Sequence, residues 1–217
     1  MAAYIIIAII AYLIGSINFS VIISKRMAGF DVRESGNAGT TNMLRSIGVK
    51  AAVITLLCDI LKGVVVILIA ILIGNIVDGL DDALLVQLAG IFVIIGHTFP
   101  IFFGFKGGKG IAATSGLVIS LILFPKYCFM FTIFGMVTFG LVTKFSRYVS
   151  LGSITGIIGF FIEFVIWGLV GWLPLNNNEF IEASIVVLLF VILGVARHSG
   201  NIKRLINGTE RKIGEKK

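Results

Sequence analysis

The chain has 217 residues, of which 58% are hydrophobic and only 13% charged, and its mean hydropathy is +1.07. Those values exclude an ordinary water-soluble globular protein and place the chain in a bilayer. The net charge of +7 raises nucleic acid as a partner. No aromatic-basic reading motif accompanies it, however, and basic loops facing an anionic membrane surface account for the excess.

Crossing roughly 30 Å of hydrocarbon takes about 20 apolar residues. Runs of that order occupy 3–23, 51–74, 84–103, 126–143, 150–173 and 180–196. The first lacks a basic n-region and a small-residue cleavage site, so it reads as a retained span rather than a removed signal. A shorter run, Ile111 to Phe124, stops at Pro125 and by length alone also suits a re-entrant segment. The charges decide its reading. Lys and Arg collect on the cytoplasmic side of membrane proteins. With seven spans and the N-terminus outside, every Lys and Arg except Lys62 and Lys126 falls in an inner loop or the C-terminal tail. Asp78, Asp81, Asp82, Glu179 and Glu182 then lie outside. A re-entrant short run would instead carry the basic tail from Arg197 outside. The predicted architecture is therefore an all-α bundle of seven transmembrane helices, N-terminus outside and C-terminus cytoplasmic, forming one integral-membrane domain over 1–217. Cys58 and Cys128 sit in apolar runs without metal or redox spacing and read as packing residues. There is no internal repeat.

Three polar clusters fall on the inner side. The first is DVRESGNAGTTNMLRSIG, Asp31 to Gly48. Ser35, Asn37, Thr40, Thr41 and Asn42 are small hydrogen-bonding groups, with Gly36 and Gly39 free to turn backbone N–H groups toward an anion. Asn42 and Arg45 share a face if a helix starts here. A polar turn capping the second span is the ordinary alternative.

The second cluster is GHTFPIFFGFKGGKG, Gly96 to Gly110. His97 lies near the inner end of the third span, and Lys106 and Lys109 flank Gly107 and Gly108. A helix beginning near Gly110 would aim its unpaired N–H groups and positive dipole end at this loop, which favours phosphate. The segment is not a Walker A motif, since Phe103 stands where the first glycine belongs and Gly110 where Ser or Thr belongs. A glycine-rich turn with ordinary inner-face lysines competes with this reading. The third cluster, RHSGNIKRLINGTER from Arg197 to Arg211, places His198 and Asn201 one helical turn apart. Ile202, Leu205, Lys203, Arg204 and Arg211 fit a basic amphipathic tail on anionic lipid.

Charged groups within spans are costly and face the bundle interior. Asp59 and Lys62, three apart, are expected to compensate each other, and Glu163 to make an interior structural contact. The segment Ser146 to Ser153 adds Arg147 and the hydroxyls of Ser146, Ser150 and Ser153 at the inner end of the sixth run.

SGNAGTTN, GHTFP with FKGGKG, and RHSGNIKRL together resemble the bacterial integral-membrane glycerol-3-phosphate acyltransferases that use acyl phosphate, the PlsY family. Motif order, inner-loop placement and length agree over essentially the whole chain. The resemblance implies a multi-pass enzyme of the bacterial inner membrane whose active site faces the cytoplasm. It implies transfer of an acyl group from long-chain acyl phosphate to sn-glycerol 3-phosphate. The products are 1-acyl-sn-glycerol 3-phosphate and inorganic phosphate, the first step of phospholipid biosynthesis. Residues matching Ser35, Arg45, Lys109, His198 and Asn201 belong to the glycerol-phosphate site of similar enzymes.

That reaction suits the residues, since both substrates carry phosphate and one carries a long tail. Ser35, Lys109, His198 and Asn201 are the expected catalytic groups. Gly36, Asn37, Gly39, Thr41, Asn42, Arg45, His97, Lys106, Gly107, Gly108, Gly110 and Ser150 are expected to help bind substrate, with membrane lipids as further partners. No cofactor or metal is expected, because the outer aspartates lie on the wrong face for a cation-dependent transferase. An H-x4-D pair is absent: Phe102 lies five residues beyond His97 and Lys203 five beyond His198. Acyl phosphate is already activated, so positioning and charge stabilisation without an acyl-enzyme suffice, with a substrate phosphate oxygen taking the proton. His198 as a conventional base is the second reading. A transporter for phosphate-bearing anions is the alternative class, but its ligands meet at mid-bilayer, whereas these gather on one face.

Overall fold

The computed structural model describes residues 1–80, 82–123, 129–173 and 176–215. Asp81, Pro125, Lys126, Cys128 and the terminal lysines Lys216 and Lys217 lie outside the described residues. All regular structure among them is helical. The helices are α1 (Ala2–Gly15), α2 (Phe19–Ala28), α3 (Thr40–Ser46), α4 (Val49–Ile76), α5 (Asp82–Thr98), α6 (Ile111–Leu123), α7 (Phe129–Ser146), α8 (Val149–Leu169), α9 (Asn177–Arg197) and α10 (Ser199–Ile206). Short 3-10 turns occupy Val32–Ser35 and Ile101–Phe103. The sequence is rich in Ile and Val, yet it folds as helix because lipid offers no partner to an open backbone group.

Five segments among the described residues are long and apolar enough to cross a membrane: Ala2–Ala28, Val49–Ile76, Leu84–Phe103, Val149–Leu169 and Phe180–Arg197. The first differs in detail from the expected continuous run over 3–23. It is two helices, because the Asn18 side chain caps α2 by accepting from the Val21 N–H at 3.3 Å. Lys62 Nζ also takes the carbonyls of Gly15 and Ile17 at 3.1 and 2.9 Å. The run from Ile111 forms the 13-residue helix α6.

The chain forms two compact units, Met1–Ser120 and Leu121–Lys217. In the first, α1 packs on α5, and α4 packs on both. A side chain at Gly96 would collide with the Tyr12 carbonyl and one at Gly15 with that of Val93, so these glycines let α1 and α5 approach closely. In α4 the buried stripe is Ala51, Ala52, Thr55, Asp59, Lys62, Gly63, Val66, Ile67 and Ala70, while Leu57, Leu61 and Leu72 are exposed. Small and polar residues inside with large aliphatics outside is the pattern lipid demands. In the second unit α8 packs on α7 and α9, and α10 contacts both α8 and α9.

Candidate active site

The first unit carries two of the three clusters. Gly29, in the left-handed conformation at φ 75°, stops α2, and Asp31 then caps the Val32–Ser35 turn by accepting from the Arg33 N–H at 3.0 Å. The Arg33 guanidinium clasps the same carboxylate at 2.9 and 2.7 Å. These hydrogen bonds hold the Asp31 pKa down at about 2 against the opposing effect of burial. Arg33 also reaches across to the glycine-lysine loop, donating to the Phe103 carbonyl at 2.7 Å. Motif reading passed over Arg33. Its spacing from Phe103 is visible only in three dimensions.

Ser35 Oγ donates to the Val32 carbonyl at 2.9 Å and lies 2.8 Å from Ser46 Oγ. Asn42, in α3, directs its amide at the Val32 and Asn37 carbonyls, at 2.9 and 3.0 Å, and at Ser35 Oγ, at 3.2 Å. Asn42 is therefore buried and shapes the loop from within, while Ser35 and Arg45 are exposed. The expected helix carrying Asn42 and Arg45 is present as α3. Ser46, which no motif singled out, completes the hydroxyl pair.

The Gly96–Gly110 segment turns back on α5. Gly107 N–H donates to the Thr98 carbonyl at 3.2 Å and Gly108 N–H to that of His97 at 3.1 Å. These bonds satisfy carbonyls that the end of a helix leaves open. The Gly36 and Gly39 N–H groups likewise bond main-chain carbonyls, those of Arg33 and Asn37. The cations of this segment are half-buried Lys109 and exposed Lys106, and α6 starts just after Gly110. His97 is buried, with Nδ1 2.9 Å from Lys62 Nζ and 3.5 Å from Asp59 Oδ1. Asp59 and Lys62 do compensate each other, at 2.8 Å.

The second unit carries the third cluster. His198 caps α10, and its Nδ1 lies 2.8 Å from the Gly194 carbonyl. A carbonyl only accepts, so Nδ1 carries a proton and donates it. Asn201 follows in the first turn of α10. Ser150, in the first turn of α8, donates to Glu210 Oε1 at 3.0 Å, and Asn201 Nδ2 donates to the same oxygen at 2.7 Å. Arg204 Nε pairs with Glu210 Oε2 at 2.7 Å. Burial pushes the Glu210 pKa up, but the hydrogen bonds from Arg204, Asn201 and Ser150 outweigh it and the net shift is downward. Glu210 was missed because an acidic residue in a basic tail reads as ordinary solvated charge. Ser146 and Ser153 bond the main-chain carbonyls of Val142 and Val149, which leaves Ser150 as the serine of the three that turns to a neighbouring cluster residue. Glu163 Oε2 is buried without a hydrogen-bond partner among the described residues.

The chain is similar to known proteins along nearly all of its length. The family model described as Glycerol-3-phosphate acyltransferase matches residues 5–208. A glycerol-3-phosphate acyltransferase of Clostridioides difficile (strain 630) is 44% identical, over 99% of this chain and 98% of its own. One from Shouchella clausii (strain KSM-K16) is 42% identical, over 94% and 93%. The crystal structure of PlsY (YgiH), an integral membrane glycerol 3-phosphate acyltransferase in its glycerol 3-phosphate form, superposes with a TM-score of 0.79 at 33% identity, covering 97% of this chain and 96% of that one. With one family matched by sequence and by fold from end to end, the chain belongs to the glycerol-3-phosphate acyltransferases.

Proposed function

We propose that the whole chain, 1–217, works as one acyltransferase domain that moves an acyl group from acyl phosphate to the 1-hydroxyl of sn-glycerol 3-phosphate. The observation that carries this reading is the similarity to the glycerol 3-phosphate form of PlsY across 97% of the chain. Seven spans, an outer N-terminus and a cytoplasmic site in the bacterial inner membrane complete the proposal, supported by the distribution of Lys and Arg.

The glycerol oxygen attacks the acyl carbon, and the bond from that carbon to the phosphate oxygen breaks. The hydroxyl proton ends on a phosphate oxygen, so the products are 1-acyl-sn-glycerol 3-phosphate and inorganic phosphate. Arg45 and Lys109 in the first unit serve as phosphate-holding cations, with Ser35 as a hydroxyl donor. In the second unit, Ser150, His198 and Asn201 are hydrogen-bonding groups for glycerol phosphate and for negative charge developing on oxygen. No covalent acyl-enzyme forms; trapping one in a single turnover with labelled acyl phosphate would overturn this route.

His198 as general base is a second reading, favoured by the Nδ1–H to Gly194, which fixes the orientation of the ring. A His198→Gln variant that loses affinity for glycerol phosphate but keeps kcat eliminates it. The donor is tested with purified protein, glycerol 3-phosphate and, in parallel, acyl phosphate, acyl-CoA and acyl carrier protein thioester. Turnover with a thioester and none with acyl phosphate would sink the proposal.

A further inference from the structure

Asp59 and Lys62 are buried inside the first unit, with 1% and 3% of their side chains exposed, and nothing in the proposed chemistry uses them. A pair that only neutralised itself would need the one 2.8 Å contact between them. The Lys62 ammonium makes three more. It donates to the Gly15 and Ile17 carbonyls, where α1 ends, and approaches His97 Nδ1 at 2.9 Å. His97 Nδ1 also lies 3.5 Å from Asp59 Oδ1, so the ring is held against both members of the pair.

The Nε2 edge faces the glycine-lysine loop. A methyl group built on Gly108 would collide with His97 Nε2 and lie 2.6 Å from the Ala38 carbonyl. Gly108 is thus held between the His97 ring and the loop that follows Ser35, and its N–H bonds the His97 carbonyl. Lys109 is the next residue. A continuous path of contacts therefore runs from Asp59 through Lys62 and His97 to the turn that aims Lys109.

We propose that Asp59 and Lys62 are positioning residues, holding the His97 imidazole and through it the Gly107–Lys109 turn in the placement at which Lys109 meets glycerol phosphate. This rests on the reading that Lys109 contacts that phosphate. The pair also closes the gap between α1 and α2, so single charge removals risk the fold, whereas removing both charges leaves no unpaired buried ion.

The test compares wild type, Lys109→Ala and the double variant Asp59→Asn/Lys62→Met in lipid vesicles, with glycerol 3-phosphate and acyl phosphate varied separately. The double variant is expected to raise KM for glycerol 3-phosphate about tenfold while kcat and KM for acyl phosphate stay within about twofold, as misplacement of one binding group predicts. If Lys109→Ala raises that KM and the double variant does not, the positioning role is overturned. If Lys109→Ala leaves it unchanged, the underlying assignment of Lys109 fails and the proposal with it. A second readout follows the His97 ring itself. The chain has two histidines, so nitrogen NMR of histidine-labelled protein resolves both rings. Altered His97 signals in the double variant with those of His198 unchanged support the proposal, and unchanged His97 signals overturn it.

Discussion

Asn201 and Glu210, nine positions apart on either side of the end of α10, are joined by a 2.7 Å hydrogen bond from amide to carboxylate. The same carboxylate oxygen receives Ser150 from α8, and the other receives Arg204. Two of the expected substrate-binding groups thus take their orientation from one acidic residue in the tail. The tail is itself fixed by reciprocal bonds between Arg147 and Ile213, at 2.8 Å between main-chain atoms and 2.7 Å from the guanidinium.

Replacing Glu210 with Ala leaves three donors without their acceptor. A loss of roughly 2–3 kcal/mol is expected, discounted because Arg204 is half exposed. Thermal unfolding in detergent measures it, and Glu210→Gln, which keeps one acceptor oxygen, is expected to retain more stability than Glu210→Ala.

Both shifted carboxylates outside the spans bear on acid stability in the same sense. The Asp31 pKa is lowered from 3.8 to about 2 by the Arg33 hydrogen bonds, and that of Glu210 is lowered from 4.5 by the net effect of its three partners. A carboxylate with a depressed folded pKa contributes its full stability above the unfolded value and loses it as pH falls through the folded one. Asp31 therefore stabilises above pH 3.8 and less and less toward pH 2. Thermal midpoints measured across that window should fall for wild type and stay flatter for Asp31→Asn.

Gly108→Ala forces a methyl into the His97 ring and the Ala38 carbonyl. It is expected to cut kcat/KM for glycerol 3-phosphate by at least about tenfold. Gly104→Ala meets no atom within 4 Å and only has to hold φ 63°. That conformation costs on the order of 1 kcal/mol, and activity should survive. Steady-state kinetics on the two variants distinguishes crowding at one glycine from backbone strain at the other.

Among the serines of the α7–α8 turn, Ser150→Ala is expected to lower activity about tenfold, as loss of a hydrogen bond to a carboxylate implies. Ser153→Ala removes only a bond to its own helix, and its kcat/KM should remain within about twofold of wild type. Equal losses in the two would disprove the special place given to Ser150.

Local patterns exposed much of this in the sequence. Apolar run length gave the membrane helices, and i,i+3 spacing paired Asp59 with Lys62. What stayed hidden depended on contacts between distant positions. Arg33 meets Phe103 seventy residues away, and Glu210 meets Ser150 sixty away. The break between α1 and α2 needed Lys62 from another helix as well as Asn18. The glycine N–H groups were not legible for a related reason: a glycine-rich turn looks the same in sequence whether its amides face a ligand or the helix behind it.

Arg33 has a consequence for evolution of the protein. Its guanidinium clasps Asp31 in one loop, holds the Phe103 carbonyl in the other and lies 5.8 Å from the Phe103 ring centre. Phe102 and Phe105, on either side of Phe103, are exposed apolar side chains. Substitutions that retune this apolar run will therefore show epistasis with substitutions at Asp31 and Arg33, because one strut sets the height of both loops. A lineage that altered this exposed apolar surface would be expected to change both loops in step.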